Sequence, residues 1–230
     1  MTEIVVSNLM KKFGSNVILD NVNLTVKKKE FVALVGTSGC GKTTLLRSIS
    51  GLTNDSHSGS IICKRKIGYL FQQPAILPWK TVKENIELYN TLHNESRDSS
   101  FWINEMGLNN FLNHYPRELS GGLQQRTALA MILLTDSDIL LLDEPFSALD
   151  EPTREKLNLL ILAVWEKTRK TIIFVTHNIG EAVFLSDKVA ILSKGKIEEI
   201  KIDLPRPRNF EMKYTKEFGK YVEEIKRKIA

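Results

Sequence analysis

The clearest chemical signal in the sequence is a glycine-rich stretch that ends in a lysine and two threonines. It reads Gly36-Thr37-Ser38-Gly39-Cys40-Gly41-Lys42-Thr43-Thr44 and fits the pattern G-x-x-x-x-G-K-[ST]. Glycine adopts backbone angles closed to other residues, so successive N–H groups can turn inward and bind phosphate oxygens at a helix N-terminus. We expect Lys42 to reach the β- and γ-phosphates and the Thr43 hydroxyl to hold Mg²⁺. We interpret Cys40 as a small filling residue and not as a nucleophile.

Polar groups follow four apolar runs of the sequence, and each run has the length of a buried strand. All-apolar strands flanked by helices are typical of a parallel sheet. Ligands of open parallel sheets bind outside the carboxyl ends of the strands, so we expect these polar groups to converge at one edge. The runs and their groups are Phe31–Val35 with the glycine-rich loop, Ile67–Phe71 with Gln72, Ile139–Asp143 with Glu144, and Thr171–Thr176 with His177.

These groups suit the transfer of a phosphoryl group to water, which needs positioning and charge stabilisation but no covalent chemistry. Asp143, at the end of its strand, is predicted to hold Mg²⁺, usually through water. Glu144 is expected to polarise the attacking water as a general base; the alternative is a charge at a helix N-terminus before Pro145. His177 is expected to bind the γ-phosphate and fix the water, although a lone histidine more often packs in a core. The Gln72 amide oxygen can reach Mg²⁺ or the water.

An aromatic residue near the N-terminus is a candidate for binding a base. Phe13 lies next to a turn at Lys11–Asn16, ahead of the glycine-rich loop. A ring there could stack on adenine, but its position alone favours a residue at the edge of the core.

Further strands are predicted at Ile4–Val6 and Val22–Val26, as a pair at Gly59–Ile62 and Ile67–Phe71 around the basic turn Lys64–Lys66, and at Val189–Leu192 and Lys196–Ile202.

The middle of the chain changes character. From Thr81 to about Leu119 the alternation of β-branched residues is lost, and Val82–Leu88 and Phe101–Met106 are predicted helices. A polar stretch at 92–100 is predicted to be a loop. We interpret this region as a helical insertion in an α/β core. Outside it, helices are predicted at Thr43–Ser50, at Thr153–Lys170 with a buried stripe on one face, and as a basic tail from Phe210 to Ala230.

The composition indicates one large α/β domain of ordinary character. The chain has 230 residues, of which 42% are hydrophobic and 26% are charged, with a net charge of +5. A solvated surface explains this mild charge better than contact with nucleic acid or anionic lipid does. No run approaches the ~20 apolar residues that span a bilayer, and no signal peptide is expected at the start. The two cysteines, Cys40 and Cys63, show neither disulfide nor metal spacing, which suits a reducing cytosolic compartment.

The segment Leu119-Ser120-Gly121-Gly122-Leu123-Gln124-Gln125-Arg126 resembles the signature motif of ABC ATPases. Without this resemblance, the same residues allow a simpler interpretation, in which Ser120 caps a helix. The resemblance covers the whole chain, because the other motifs of that family occur in the same order. They are the phosphate loop, Gln72 as the Q-loop, Ile139–Asp143 with Glu144 as the Walker B motif and catalytic glutamate, Ser147-Ala148-Leu149-Asp150 as the D-loop, and His177 as the H-loop.

The resemblance implies a fold and a ligand. The fold is a P-loop NTPase core with a mostly parallel sheet, an N-terminal antiparallel β subdomain and a helical insertion. In a single domain over 1–230, residues 1–73 and 119–230 form the core and about 74–118 the helical subdomain. The ligands are ATP and Mg²⁺, and the metal would be held by Thr43, Gln72 and Asp143. The whole loop from Gly36 to Thr44 binds the nucleotide.

The resemblance also implies a partner for each cassette. Phe13 falls where the adenine-stacking aromatic residue of the family sits, so the functional interpretation is now favoured. Ser120, Gly121 and Gly122 fall where the signature contacts the γ-phosphate bound by the other subunit. The expected assembly is a head-to-tail homodimer with two shared ATP sites. Two departures from the family pattern, Asn178 after the histidine and Met131 after the signature, remove no catalytic group.

A finer resemblance points to import. Gln72–Trp79, with Leu-Pro-Trp, and Asp203–Arg208 look like motifs of the nitrate/sulfonate/taurine importer subfamily. They imply an ATPase subunit on the cytoplasmic side of the membrane, with permease subunits, an extracytoplasmic solute-binding protein and no nucleic acid as partners. The apolar segment Ala75–Trp79 is expected to dock the permease; alternatively it packs the insertion onto the core. Two other functions stay open, an exporter ATPase and a non-transport ABC ATPase acting on nucleic acid, whereas a GTPase lacks its Asn-Lys-x-Asp motif.

Overall fold

The computed structural model describes residues 1–52 and 57–229, which contain nine strands and eight α-helices. Within these ranges, none of the helices combines the length and the apolar character needed to cross a membrane. The strands are β1 (Thr2–Phe13), β2 (Asn16–Lys27), β3 (Phe31–Val35), β4 (Ser58–Cys63), β5 (Ile67–Leu70), β6 (Ile139–Asp143), β7 (Thr171–Val175), β8 (Lys188–Ser193) and β9 (Lys196–Lys201). The helices are α1 (Lys42–Ser50), α2 (Val82–Ile86), α3 (Leu88–His93), α4 (Ser100–Glu105), α5 (Gly121–Leu134), α6 (Glu151–Thr168), α7 (Ile179–Leu185) and α8 (Lys216–Ile229).

Two sheets organise the chain. The larger has the strand order β5-β6-β7-β3-β8-β9, in which the first five strands run parallel and β9 returns antiparallel to β8. The smaller is antiparallel, with the order β2-β1-β4. The parallel order brings the carboxyl ends of β3, β5, β6 and β7 to one edge, as the apolar runs predict. The α/β fold class with an antiparallel N-terminal sheet is confirmed.

The large sheet is buried on both faces, which explains its uninterrupted apolar strands. Successive side chains of a strand point to opposite faces, so β3 contributes to two core clusters. Phe31, Ala33 and Val35 join the cluster beneath α5 to α8, whereas Val32 and Leu34 join the cluster shared with α1 and the small sheet. The phosphate loop is thereby anchored on a strand that both halves of the core hold in place.

The regular elements between β5 and α5 in the described chain are all helical. They are α2, α3 and α4, followed by short 3-10 helices at Asn109–Phe111 and Pro116–Glu118. Thr81 starts α2 with a capping box, since its hydroxyl accepts from Glu84 N and the Glu84 carboxylate accepts from Thr81 N. The predicted helical insertion is therefore present.

The predicted strand pair at Gly59–Ile62 and Ile67–Phe71 is wrong. β4 pairs with β1 in the small sheet, whereas β5 pairs with β6 in the large one. The physical reason is burial: a Cβ at Gly68 of β5 would overlap Ile132 of α5, so β5 needs a place under that helix. β4 is mostly exposed and suits a sheet edge. The basic turn between them connects two sheets instead of closing a hairpin.

The predicted basic tail helix is divided in two. A 3-10 helix at Phe210–Tyr214 precedes α8, and Thr215 between them is extended, with ψ 150°. The Thr215 hydroxyl accepts from Phe218 N at 3.3 Å and so starts the second helix. Ala230, the predicted end of the tail, lies outside the described residues.

Candidate active site

The glycine-rich loop joins the end of β3 to the start of α1, and two of its glycines are required by the structure. A Cβ at Gly36 would overlap the carbonyl oxygen of Leu192 on the neighbouring β8. Gly41 has φ 105° and caps α1, where an added Cβ would lie 2.9 Å from Ile18 Cγ2. The loop thus ends at a helix N-terminus, whose free N–H groups attract anions.

Lys42 is buried and lies within this loop. Its Nζ donates to the carbonyl oxygens of Gly36 at 3.0 Å and Thr37 at 3.1 Å. It also lies 3.9 Å from Glu144 Oε1, a long ion pair across the mouth of the loop. This ammonium group can exchange its two backbone carbonyl partners for phosphate oxygens.

A cavity of about 270 Å³ opens above the loop. Phe13 stands at its rim, half exposed, and the Lys11 ammonium lies 5.5 Å from the centre of the ring. Cys40 is instead partly buried against the core cluster that contains α1, which agrees with its interpretation as a filling residue. The cavity is lined by Phe13, Ile18, Ser38, Gly39, Gly41, Lys42, Thr43, Thr44 and Glu144.

Asp143 ends β6 and is bound through both of its carboxylate oxygens. Thr43 Oγ1 donates to Oδ1 at 2.9 Å, and the Tyr69 hydroxyl donates to Oδ2 at 2.9 Å. Asp143 is 3% exposed, so these bonds replace most of its hydration. Burial, followed by the Asp143 carboxylate, raises the pKa of the Tyr69 hydroxyl far above its ordinary value, and Tyr69 therefore acts as a donor.

Glu144 and His177 meet directly beside this carboxylate. Glu144 Oε2 lies 3.5 Å from His177 Nδ1, and the histidine side chain is 54% exposed. The backbone of Glu144 has φ 44°, a left-handed conformation that is uncommon for residues other than glycine. It is held by Glu144 N donating to Val175 O at 3.1 Å and by Ser147 Oγ donating to Glu144 O at 3.1 Å. The fold imposes this conformation from two neighbouring elements.

Gln72 reaches the site only indirectly. Its Nε2 donates to Ser147 Oγ at 3.4 Å, and Ser147 in turn binds the backbone of Glu144. The side chain is exposed and lies outside the lining of the cavity described above. In this conformation Gln72 is connected to Glu144 rather than to the Thr43 and Asp143 pair.

The signature residues lie apart from the cavity. Ser120 caps α5, since its Oγ accepts from Leu123 N at 3.4 Å, and both Ser120 and Gly121 are exposed. Gly122 is buried, and an added Cβ would meet Thr153 Cγ2 at 3.0 Å. In the described part of the chain, none of the three lines the cavity above the phosphate loop. One chain alone therefore does not bring these residues to its own phosphate loop.

The donor set at Thr43 and Asp143 fits a magnesium ion. Mg²⁺ prefers hard oxygen ligands and is commonly bound by one or two carboxylates together with substrate phosphates. The Thr43 hydroxyl and the Asp143 carboxylate already lie together beside the loop. Within residues 1–52 and 57–229, no group of three or more His, Cys, Asp or Glu side chains could hold a metal alone. Phosphate oxygens would therefore complete the coordination.

The structure adds neighbours of the site that the sequence did not indicate. Tyr69 belongs to an apolar strand, and nothing in its pattern distinguishes this hydroxyl. Glu181 is buried behind His177, where it accepts from Thr176 Oγ1 at 2.6 Å and Asn158 Nδ2 at 3.2 Å. Its position three residues after Asn178, the N-cap of α7, is the spacing of a helix cap and could have drawn attention to it.

The phosphate loop after a parallel strand, with a carboxylate beside its threonine, defines a P-loop nucleoside triphosphatase. A comparison with known families matches residues 19–147 to the ABC transporter family. The chain therefore belongs to the ABC transporter family, as an ATP-binding subunit that hydrolyses ATP.

Known proteins agree with this assignment over most of the chain. An uncharacterized ABC transporter ATP-binding protein of Methanocaldococcus jannaschii is 44% identical over 223 residues, covering 89% of this chain and 84% of that protein. An aliphatic sulfonates import ATP-binding protein of Bacillus cereus is 41% identical over 215 residues, covering 87% and 86%. The dimeric post-hydrolysis structure of an ATP-binding cassette with ADP and Pi is 32% identical, with a TM-score of 0.76 and coverage of 88% and 100%.

Proposed function

We propose that this chain is the ATPase subunit of an importer that carries a sulfonate-type solute through a membrane permease. The observation that carries the proposal is the 41% identity to the aliphatic sulfonates import ATP-binding protein of Bacillus cereus. The importer-like Leu77-Pro78-Trp79 segment supports it. In this proposal the subunit lies on the cytoplasmic side of the membrane, and an extracytoplasmic solute-binding protein delivers the solute to the permease.

Each residue beside the cavity has a part in ATP hydrolysis in this proposal. Phe13 stacks on the adenine, and the loop from Gly36 to Thr44 binds the phosphates. Thr43, Asp143 and Gln72 would hold Mg²⁺, which would supply positive charge to the phosphate oxygens. Glu144 accepts the proton of the attacking water. The contact of His177 with Glu144 supports a role in fixing that water near the γ-phosphate.

A head-to-tail homodimer would complete the site. Ser120 and Gly121 are exposed at the N-terminus of α5, a helix of 14 residues whose free N–H groups suit a phosphate. The similar cassette bound to ADP and Pi is dimeric. We propose that Ser120, Gly121 and Gly122 contact the nucleotide held by the phosphate loop of the second copy.

The segment Ala75–Trp79 is proposed to dock the permease. Trp79 is 69% exposed, while Ile76 packs on the main core, so the packing alternative accounts for Ile76 but not for Trp79. Asn85 is fully buried and fixes the segment: its Nδ2 donates to Leu77 O at 3.1 Å and its Oδ1 accepts from Leu77 N at 2.7 Å. A rigid loop with an exposed tryptophan marks a partner surface.

An apolar groove between the helical region and α5 lies next to Asn85, the residue that fixes this segment. It is lined mainly by carbon atoms of α2, α3 and α5, and its volume is about 220 Å³. Residues of about 74–118 would form a helical subdomain that carries the segment and the α2 and α3 side of the groove, while α5 of the core forms its other side. Because Gln72 lies directly before the segment, its response to the γ-phosphate could move this subdomain against the permease. The groove is lined by Asn85, Ile86, Leu88, Tyr89, Leu92, Met131, Ile132 and Thr135.

Uptake by the reconstituted complex tests this function. We expect Trp79→Ala with Leu77→Ala to abolish uptake of an aliphatic sulfonate and binding of the permease. The isolated cassette should stay folded and keep its affinity for ATP, because Trp79 is mostly exposed. Tyr214→Ala, at an aromatic residue that is 90% exposed, is the matched control and should transport normally. Normal uptake by the double variant would refute the docking role, and uptake of nitrate in place of any sulfonate would refute the solute class.

A further inference from the structure

Tyr69 is placed to hold the carboxylate of Asp143 from the side opposite the phosphate loop. It lies on β5, which pairs in parallel with β6, with Tyr69 opposite Leu141. Two residues further along β6, Asp143 Oδ2 accepts from the Tyr69 hydroxyl, while Oδ1 accepts from Thr43. The carboxylate is therefore fixed at both ends, between the helix after the loop and the neighbouring strand.

Tyr69 is itself held on several sides. Its ring packs at 4.6 Å against Phe71 and belongs to the partly buried surface of the core cluster that contains α1. A side chain with so little freedom can orient a carboxylate at small cost in entropy.

We propose that Tyr69 is a positioning residue for the magnesium site. Its hydroxyl keeps the Asp143 carboxylate turned so that Oδ1 faces Thr43 and the metal. This inference rests on the proposed roles of Asp143 and Thr43 as metal ligands. Groups that hydrogen-bond a ligating carboxylate set its orientation, and their loss typically weakens metal affinity by about 10- to 100-fold.

The hydroxyl can be removed with almost no change of shape. Tyr69→Phe keeps the ring that packs against Phe71, but it leaves Asp143 Oδ2 without a donor at a position that is 3% exposed. A buried acceptor without its partner favours rearrangement of the carboxylate. The variant therefore separates positioning from packing.

The test compares affinity for the β,γ-imido analogue of ATP in excess Mg²⁺ and in EDTA. The dissociation constant in EDTA divided by that in excess Mg²⁺ measures the coupling between metal and nucleotide. We expect Tyr69→Phe to reduce this ratio about tenfold while leaving the affinity in EDTA unchanged. Tyr221→Phe, which removes a hydroxyl bonded to Asp203 N, is the matched control and should keep the wild-type ratio. A wild-type ratio in Tyr69→Phe would refute the inference.

A double variant distinguishes this inference from the proposed metal site. Asp143→Asn should reduce the ratio strongly, and Tyr69→Phe added to it should cause no further loss, because the hydroxyl acts through the carboxylate. If Asp143→Asn keeps the wild-type ratio, the assignment of the metal ligands fails. If only Asp143→Asn has an effect, or if the two losses add independently, Tyr69 has no positioning role.

Discussion

Substituting Glu144 by glutamine gives the most direct test of the site. The change removes one charge and the proton-accepting oxygen but keeps the length of the side chain. A general base contributes about 10²- to 10⁴-fold to the rate, which corresponds to roughly 3 to 5 kcal/mol in the activation barrier. We therefore expect hydrolysis of MgATP by Glu144→Gln to fall by at least ~10²-fold.

The structure also predicts what this variant keeps. Glu144 makes only long contacts with its neighbours, 3.9 Å to Lys42 Nζ and 3.5 Å to His177 Nδ1, and its side chain is 21% exposed. Contacts of this length contribute little to stability, so the melting temperature should change by only a few degrees. ATP binding should persist, because the loop carbonyls that hold Lys42 are unaltered.

Three measurements on purified protein decide the matter: phosphate release, equilibrium binding of ATP and the oligomeric state in MgATP. If product formation opens the proposed dimer, the variant should accumulate as an ATP-bound dimer. Phosphate release above a tenth of the wild-type rate would remove Glu144 from the mechanism. Loss of ATP binding would show instead that the carboxylate organises Lys42, which the long distance between them argues against.

Three further experiments test other parts of the reasoning. Phe13→Ala should weaken ATP binding about tenfold in equilibrium titration through lost stacking, without unfolding, because the ring is half exposed. Lys42→Ala should lose ATP binding and Ser120→Arg should lose dimerisation, yet their mixture should recover part of the ATPase activity in heterodimers with one intact site; no recovery would contradict shared sites. Asn85→Leu should lower the free energy of unfolding by about 2 kcal/mol and accelerate proteolysis at 77–81, because buried backbone groups lose their partner.

The strands and the polar edge could be predicted because their signals are local. An apolar run such as Ile139–Leu142 needs burial on both faces whatever its neighbours are, and all four of its residues are fully buried. Asp143 and Glu144 then follow at the end of that strand by covalent connection. The order of the strands could not be predicted in this way. β4 and β5 are separated by a short basic turn, but β4 pairs with β1 and β5 pairs with β6, which are distant in the sequence.

Contacts between side chains on different strands and loops could not be predicted from the sequence either. The hydroxyl of Tyr69 meets Asp143 only because β5 lies beside β6, and the pattern of β5 shows an ordinary buried strand. The position of Gln72 illustrates the opposite case. Its place after β5 is predictable, but its contact with Ser147 depends on how the segment after β6 turns. The break in the C-terminal tail, by contrast, had a local signal in Thr215, a residue type that starts helices.

The left-handed backbone at Glu144 sets the stability of the fold against the catalytic role proposed for this residue. Most residues with a side chain are disfavoured there by about 1 kcal/mol, whereas glycine, and asparagine with its short polar side chain, adopt φ 44° more readily. Selection for stability alone would therefore replace this glutamate, and only the need for its carboxylate would keep it. In a relative that is no longer under selection for ATP hydrolysis, we expect Glu144 to be among the first residues replaced. Asparagine at that position in a relative would be a sign of a cassette that still folds and binds ATP but no longer hydrolyses it.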